Sequence, residues 1–354
     1  MEANVLKFMK ELVTAPSPSG FEQPVQEIWC NYVRPFAHEV KKDVHGNAIA
    51  VINPKGKPTL MFCGHCDEIG LMVNYVDEKG YIYFAIIGSL DTTILPGQRF
   101  HIHTKKGPVL GIVGKKAIHI METEERRATA APKVHNLWMD IGAKNKAEAE
   151  KIVSIGDPIT FAVGFEHLKN DLVVSRGFDD KIGSFVVAEV LRNLSKKKPQ
   201  AAIYGVSTVQ EEVGWRGART STYSINPDVG IAVDLTHATD YPDTNPKKDG
   251  EIKIGKGPVI TRGANINPMV FDKLIDTAKA KKIDYQLDAS PNLTPTDAYV
   301  IQITRQGIAA GLVSVPNRYM HTPIEVVSIS DLDDTIKLLS EFSYKITPDV
   351  NFIP

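Results

Sequence analysis

Two adjacent carboxylates, Asp179 and Asp180, stand where a predicted strand passes into a predicted helix. Residues 172–174 form an apolar run typical of a strand, and a helical repeat of apolar side chains starts at Ile182. In open α/β sheets, ligands bind at the carboxyl ends of the strands. Neighbouring carboxylates repel each other unless a cation lies between them, and a divalent metal is the commonest solution, although this stretch taken alone is more typical of a helix cap. The alternative is a helix cap, in which Asp179 or Asp180 accepts hydrogen bonds from N–H groups of the first helical turn.

A histidine follows another predicted strand, residues 59–63, in the stretch Gly64-His65-Cys66-Asp67. Its ring could supply a nitrogen ligand to a metal. The side chains of His65 and Asp67 point the same way in an extended chain, so Asp67 could orient the imidazole. A hydrogen-bonded structural histidine is the alternative interpretation of this pattern.

The same stretch contains a C-x-x-C pattern formed by Cys63 and Cys66. Redox motifs of this kind need a thiolate at a helix N-terminus in a thioredoxin-like βαβ unit. Here acidic residues and a predicted strand follow Cys66, and neighbouring acids raise a thiol pKa. The surrounding sequence therefore argues against a thiol redox function.

Five predicted strands lead into potential metal ligands. In chain order these ligands are His65, Asp179, Glu212, Asp234 and His321. Two histidines and three carboxylates satisfy two first-row divalent ions if one carboxylate bridges them. Glu211 is adjacent to one ligand and can act as a base, because neighbouring residues of an extended strand end point in opposite directions. The combination predicts a two-metal hydrolase.

The elements that must position these residues alternate strand and helix over residues 1–67 and 164–354. Residues 68–163 consist instead of short β-rich runs separated by Gly and Pro, with a polar stretch at residues 122–135 that predicts a loop. We therefore predict an α/β catalytic domain, with a mixed sheet flanked by helices, interrupted by a small β-barrel-like domain. The insert carries no catalytic motif, and its exposed strands need covering, so we expect an oligomer.

Composition limits the partners. The 354 residues carry a formal net charge of −1, with 43% apolar and 23% charged residues, so no field attracts nucleic acid or an anionic membrane. No apolar run approaches the ~18 residues of a membrane span. The first twelve residues mix charged with apolar side chains, unlike a signal peptide. With only three cysteines, the chain is expected in a reducing, cytoplasmic compartment.

The motifs resemble those of the two-metal aminopeptidases that include glutamyl aminopeptidase, the deblocking aminopeptidases and the tetrahedral, dodecameric aminopeptidases. Some members of that family are labelled endoglucanase. The similarity runs along nearly the whole chain and is carried by Gly64-His65-Cys66-Asp67-Glu68-Ile69-Gly70, Asp140-Ile141-Gly142-Ala143, Arg176-Gly177-Phe178-Asp179-Asp180-Lys181, Gln210-Glu211-Glu212-Val213-Gly214, Arg216-Gly217-Ala218, Val233-Asp234 and Val315-Pro316-Asn317-Arg318-Tyr319-Met320-His321-Thr322-Pro323.

The resemblance implies a zinc-peptidase-like fold and two divalent ions per subunit, Zn²⁺ or Co²⁺. It implies that Asp179 bridges the ions, with His65 and Asp234 completing one site. Glu212 and His321 then complete the other site.

The resemblance also implies how the site would work and assemble. Glu211 is the implied general base, Asp67 orients His65, and the peptide bond between Asp179 and Asp180 is expected to be cis. The substrates would be short peptides that lose their N-terminal residue. The insert would mediate dimerisation, and the dimers would assemble into a dodecamer.

One segment departs from the family pattern. The family commonly has Gly-Gly-Thr-Asp-Ala near the substrate pocket, where this chain has Thr294-Pro295-Thr296-Asp297-Ala298. Proline removes a backbone N–H and restricts φ, so the preference for an N-terminal residue is not carried over. The alternative within the hydrolases is a deacylase or carboxypeptidase on a similar two-metal scaffold. A glycoside hydrolase would instead use a pair of carboxylates without metals.

Overall fold

The computed structural model describes residues 1–127 and 130–354, which form two compact units. The first unit comprises Met1–Glu68, Phe165–Met320 and Ile324–Pro354. The second unit comprises Ile69–Gly164 together with His321–Pro323. The three residues that begin at His321 therefore group with the inserted segment, which the sequence did not indicate.

The elements follow one another along both units. The helices are α1 (Ala3–Thr14), α2 (Gln23–Val33), α3 (Thr123–Arg127), α4 (Lys146–Ala149), α5 (Phe178–Lys196), α6 (Arg216–Ile225), α7 (Pro246–Asp249), α8 (Pro268–Lys281), α9 (Asp297–Gln302) and α10 (Ile329–Tyr344). The strands are β1 (Glu39–Lys42), β2 (Ala48–Ile52), β3 (Thr59–His65), β4 (Gly70–Val76), β5 (Ile82–Ile87), β6 (Arg99–Thr104), β7 (Gly107–Val113), β8 (Met139–Asp140), β9 (Pro158–Phe161), β10 (Glu166–His167), β11 (Leu172–Ser175), β12 (Ala202–Thr208), β13 (Val229–His237), β14 (Val259–Gly263), β15 (Gln286–Ser290), β16 (Ala309–Asn317) and β17 (Glu325–Ser328).

The main sheet of the first unit has eight strands in the order β1-β2-β12-β3-β13-β16-β14-β15. Its centre, β12-β3-β13-β16, is parallel. The pairs β1–β2, β2–β12 and β14–β16 are antiparallel, and β14 and β15 are parallel. The carboxyl ends of the parallel strands share one edge of the sheet, where ligands of such sheets bind. A smaller sheet of order β10-β11-β17 accompanies it. The predicted mixed sheet with flanking helices is confirmed.

Helix α5 is the most buried helix of this unit. Its apolar residues include Ile182, Phe185, Val186 and Val190, all fully buried, and the helix packs on β3 and β13. A helix that is apolar on most sides belongs in the interior of a layered fold. The burial of α5 fixes its N-terminal end, and with it Asp179, at the carboxyl edge of the parallel strands.

The second unit contains a closed antiparallel barrel in the order β4-β5-β8-β7-β6-β9. Its own apolar core includes Leu71, Phe84, Phe100 and Met139. The predicted barrel-like insert is confirmed as a fold. Within the stretch predicted as a loop, residues 122–135, α3 and a 3-10 turn at Val134–Asn136 form, and residues 128–129 lie outside the described residues. Among the described residues, no helix is long and apolar enough to cross a membrane.

Candidate metal centre

Strand register brings His65 and Asp234 to the same edge of the sheet. His65 is the last residue of β3 and pairs with Thr208, the last residue of β12. On the other side of β3, Ala232 of β13 pairs with Cys63, so Asp234 lies two residues further along a neighbouring strand. Parallel strands therefore deliver an imidazole and a carboxylate from distant parts of the chain to one place.

The ring of His65 is oriented for metal binding. Its Nδ1 lies 3.0 Å from the carbonyl oxygen of Asp67. A carbonyl oxygen can only accept, so Nδ1 carries a proton, and Nε2 is the ring atom left to bind a metal. That Nε2 atom lies 3.2 Å from Oδ1 of Asp179 and 3.7 Å from Oε2 of Glu211. The expected orienting role of Asp67 thus involves its backbone oxygen as well as its carboxylate, which lies 3.5 Å from Nδ1.

Asp179 and Asp180 are joined by a cis peptide bond, and their carboxylates have different surroundings. Asp180 accepts hydrogen bonds from the N–H of Gly183 at 2.9 Å and of His65 at 3.2 Å. It therefore acts as a cap for the regular part of α5, since the backbone of both aspartates is non-helical. Asp179 instead lies beside His65, and its N–H donates to Oε2 of Glu325 at 3.2 Å. Asp180 therefore has the cap role, and metal binding by Asp179 stays a prediction.

His65, Asp179 and Asp234 offer ligand atoms that all lie within 4.8 Å of one another, and all three residues are buried. Burial raises the pKa of Asp234 well above its usual range, with Asp179 adding to the rise and His65 opposing it. Burial would lower the pKa of His65, but Glu211, Asp179 and Asp67 together raise it well above its usual range. Each shift reflects several carboxylates packed around a single imidazole.

The nearest basic side chains do not balance this charge, because they pair elsewhere. Arg176 and Lys181 both donate to the buried carboxylate of Glu68, Lys181 at 2.8 Å. Lys181 also donates to the carbonyl oxygens of Val13 and Ala15. The excess of acidic groups, together with a histidine whose Nε2 faces them, fits a divalent cation bound by nitrogen and oxygen ligands.

Glu211 and Glu212 do not lie on an extended strand end, so that expectation was wrong. Gln210 has φ of 57°, in the left-handed region, and the N–H groups of Gly214 and Trp215 both donate to the carbonyl oxygen of Glu211 at 2.9 Å. The two glutamates therefore begin a turn between β12 and α6. Burial raises the pKa of Glu211 to about 10, with His65 opposing the rise and Asp234 adding to it.

The carboxylate of Asp67 holds this turn. Its Oδ1 accepts the N–H of Glu211 at 2.9 Å, and its Oδ2 accepts the N–H of Glu212 at 3.2 Å. The same Oδ2 accepts the hydroxyl of Ser19 at 2.7 Å. No local signal in Ser17-Pro18-Ser19-Gly20 marks the contact of Ser19 with a residue 48 positions away.

His321 belongs to the second unit, where its Nδ1 lies 2.8 Å from the carbonyl oxygen of Ser89. As with His65, a carbonyl acceptor assigns the proton to Nδ1. Metal binding by His321 stays a prediction.

Asp297 is a buried acid that the sequence analysis missed. Its Oδ2 accepts the hydroxyl of Thr208 at 2.6 Å, whereas its Oδ1 has no hydrogen-bond partner among the described residues. Burial raises its pKa to about 6, against the effect of His65. In the sequence, Asp297 is distinguished by its place in the Thr294–Ala298 segment, which departs from the family pattern at Pro295. Pro295 itself is exposed, and Thr296 caps α9 by accepting the N–H of Ala298.

The two cysteines of the C-x-x-C pattern are fully buried and unpaired. Burial raises the pKa of both Cys63 and Cys66 well above the usual range, and nearby carboxylates add to the rise. A thiolate is therefore disfavoured at both positions, as the acidic sequence context predicted.

The profile of the M42 glutamyl aminopeptidase family matches residues 46–338 of this chain. The chain belongs to this family. It is therefore an M42 aminopeptidase, a metal-dependent peptide hydrolase, as the motifs at the strand ends predicted.

Similar proteins agree along the full length. The lysyl aminopeptidase of Pyrococcus furiosus is 36% identical over 352 residues, which cover 98% of this chain and 99% of that protein. The solved TET aminopeptidase from a marine sediment thaumarchaeote is 32% identical with a TM-score of 0.92, covering 97% of each chain. The TET1 peptidase of Pyrococcus horikoshii, which can assemble into a tetrahedron or a large octahedral shell, is 27% identical with a TM-score of 0.85 and covers 96% of this chain and 99% of its own.

Proposed function

We propose that this M42 aminopeptidase uses two divalent ions to remove the N-terminal residue from short peptides. The observation that supports it most strongly is the buried cluster of His65, Asp179 and Asp234, whose ligand atoms lie within 4.8 Å of one another. These three side chains would hold the first ion. The resemblance to the family implies that Glu212 and His321 would hold a second ion, to which Asp179 would also contribute. Ligand sets that mix imidazole and carboxylate suit Zn²⁺ and Co²⁺, and do not distinguish them.

When bound, the ions would supply positive charge that lowers the pKa of a water molecule, polarises the scissile carbonyl and keeps the surrounding carboxylates ionised. Glu211 would then accept a proton from the attacking water. Glu211 is suited to this role because its backbone is held by the turn and by Asp67, so its carboxylate stays beside His65. Asp67 would hold Glu211 and the imidazole of His65 in fixed positions relative to each other.

The same acidic centre favours a free α-amine over an internal peptide bond. A protonated α-amine is attracted to buried carboxylates, whereas an internal peptide nitrogen carries no charge. Asp297 offers one such carboxylate oxygen without a protein partner among the described residues. This charge difference supports exopeptidase rather than endopeptidase activity, and aminopeptidase rather than carboxypeptidase activity.

Assembly follows from the second unit. This unit exposes large apolar side chains, those of Leu110 and Ile112 on β7 and those of Ile118 and Ile120 in the chain after it. Exposed apolar strand surface favours contact with another copy. We infer dimers formed through residues 68–163 that assemble further into a dodecamer, as TET relatives do, in the cytoplasm. Multi-angle light scattering at micromolar concentration tests this, and a monomer would contradict it.

The experiment that tests the enzymatic proposal combines metal analysis with a substrate panel. Protein purified without added chelator should contain two divalent ions per chain and hydrolyse a subset of aminoacyl-anilides and dipeptides. N-acetylated versions of the same substrates should resist hydrolysis, because acetylation removes the charge of the α-amine. Cleavage of N-acyl amino acids instead would favour a deacylase, and activity that survives complete chelation would remove the metal proposal altogether.

A further inference from the structure

A groove of about 760 Å³ lies in the first unit between α6 and α9. Its lining includes Gly214 and Trp215, whose N–H groups donate to the carbonyl oxygen of Glu211. The rest of the lining comes from α6 and from α9 with the chain that follows it as far as Arg305. The groove therefore borders the turn that carries the proposed base.

Aromatic rings form much of its lining. Trp215 and Tyr299 meet edge to face, with ring centroids 5.4 Å apart. Trp215 has φ of 54°, a backbone conformation that costs free energy for a bulky residue and that clusters at functional positions. Tyr223, on α6, is 60% exposed. Such rings offer an apolar surface for side chains of a ligand.

The charge in the groove is entirely positive. Its lining, within the described part of the chain, contains Arg219 and Arg305 but no acidic residue. The guanidinium of Arg305 lies 4.0 Å from the ring centroid of Tyr223, and its Nε and Nη2 donate to the carbonyl oxygen of Tyr223 at 2.8 and 2.6 Å. It is thus held in place without a carboxylate. Arg219 is exposed, and its side chain makes no hydrogen bond or ion pair within the described residues.

We propose that this groove binds the part of a peptide substrate that follows the scissile bond, and that Arg219 and Arg305 recognise a carboxylate there. The proposal rests on the proposed aminopeptidase function. Guanidinium groups pair with carboxylates through paired N–H donors, which a neutral amide cannot match. The carboxylate can come from an Asp or Glu side chain or from the C-terminus of a short peptide. The acidic metal centre would take the positive end of the same peptide.

The test compares three kinds of substrate, five compounds in all, that share one N-terminal residue chosen from the anilide panel. The first is the anilide, which has no downstream chain. The second is a tripeptide with a free C-terminus, paired with its C-terminal amide. The third is an amidated tetrapeptide with Asp at its last position, paired with the Asn version. The two pairs distinguish the two sources of the carboxylate.

The variants are Arg219→Gln, Arg305→Gln and their combination. Arg262→Gln is the matched control, because Arg262 is also an exposed arginine stacked on an aromatic ring, that of Phe271, and lines a separate cavity. Each groove variant should lower kcat/KM for carboxylate peptides by about fivefold, the upper range for an exposed ion pair, through KM rather than kcat. Amide peptides and the anilide should be unaffected, and the effect should shrink at ~1 M salt.

Equal losses on carboxylate and amide peptides, or no loss on either, would overturn the proposal. A change in assembly for the groove variants but not for Arg262→Gln, measured by light scattering, would also overturn it by assigning the groove to a subunit contact. A wild-type protein that hydrolyses neither the anilides nor the peptides would refute the proposed function instead. Calorimetry of the same peptide pairs on Glu211→Gln protein, with and without the groove substitutions, then still decides whether the arginines bind carboxylates.

Discussion

The backbone N–H of Glu211 donates to Oδ1 of Asp67 at 2.9 Å, which joins the proposed base to the residue that orients His65. The adjacent N–H, that of Glu212, donates to the other carboxylate oxygen at 3.2 Å. Asp67 therefore contacts both the proposed metal ligand on β3 and the turn that follows β12. This contact couples two segments that are 144 residues apart in the chain.

Asp67→Asn should disturb both segments with little change in volume. An amide offers one acceptor oxygen where the carboxylate offers two, so an N–H of Glu211 or Glu212 or the hydroxyl of Ser19 would face an NH₂ group. We expect metal affinity or kcat to fall by roughly 10- to 100-fold, as for other residues that orient metal ligands. Metal titration and steady-state kinetics measure the two effects. Ser19→Ala, which removes one of these donors alone, should have a smaller effect, and the reverse order would contradict this account.

Mutation should distinguish the roles of the adjacent Glu211 and Glu212. Glu211→Gln should retain both metals and lower kcat by roughly 10²–10⁴, the usual contribution of a general base. Glu212→Gln should lose metal, because a neutral amide replaces an anionic ligand. Plasma mass spectrometry of the purified variants gives metal content, and anilide hydrolysis gives kcat. Should Glu211→Gln lose its metal while Glu212→Gln stays fully loaded, the roles must be exchanged.

Without metal, the protein should lose stability as pH rises. The folded pKa of Glu211 is raised to about 10 by burial, so between its unfolded pKa of about 4.3 and that value the folded state holds one more proton than the unfolded state. The unfolding free energy then decreases with pH, by at most about 1.4 kcal/mol per pH unit for this group. Urea unfolding of chelated protein at several pH values measures the slope. Chelated Glu211→Gln should have a shallower slope, and an identical slope would show that Glu211 does not contribute.

The stability that the buried Glu68 contributes should depend on pH in the opposite sense, since it is lost as pH falls. Burial opposes its ionisation, but Arg176 and Lys181 lower its pKa to about 2. Its contribution is therefore complete above the unfolded pKa of about 4.3 and is lost as pH falls toward 2. Glu68→Gln leaves two buried cations without their anion and should cost about 3–5 kcal/mol at pH 7. Urea unfolding should show that this difference is smaller at pH 3 than at pH 7, and a constant difference would contradict it.

The cysteines should be chemically silent in the folded protein. Cys63 and Cys66 are fully buried and their pKa values are raised, so iodoacetamide should not reach a thiolate at pH 8. Activity should survive the treatment, and mass spectrometry should find both thiols unmodified. The same reagent in urea should label all three cysteines of the chain. Rapid labelling of Cys66 with loss of activity would restore a functional role for the thiol pair.

The sequence by itself determined where the chemistry-bearing residues stand relative to their own strands and helices. His65 and Asp234 are recognisable because each lies at the end of an apolar run, and such a pattern depends only on neighbouring residues. The same local logic predicted the mixed sheet and the β-rich insert. It left Asp179 and Asp180 ambiguous, because a cap and a metal ligand need the same residue type at the same position.

Tertiary structure decided which of these residues meet. The order β12-β3-β13-β16 is not the order of the chain, and only this pairing puts His65 between the ends of two other strands. The left-handed backbone of Gln210 turns Glu211 away from the extended path, and Asp67 holds it there. The groove between α6 and α9 likewise exists only where two helices pack. Contacts of this kind join residues far apart in sequence, so neither segment shows them as a periodic pattern. Tertiary packing therefore selects between the alternatives that the local sequence leaves open.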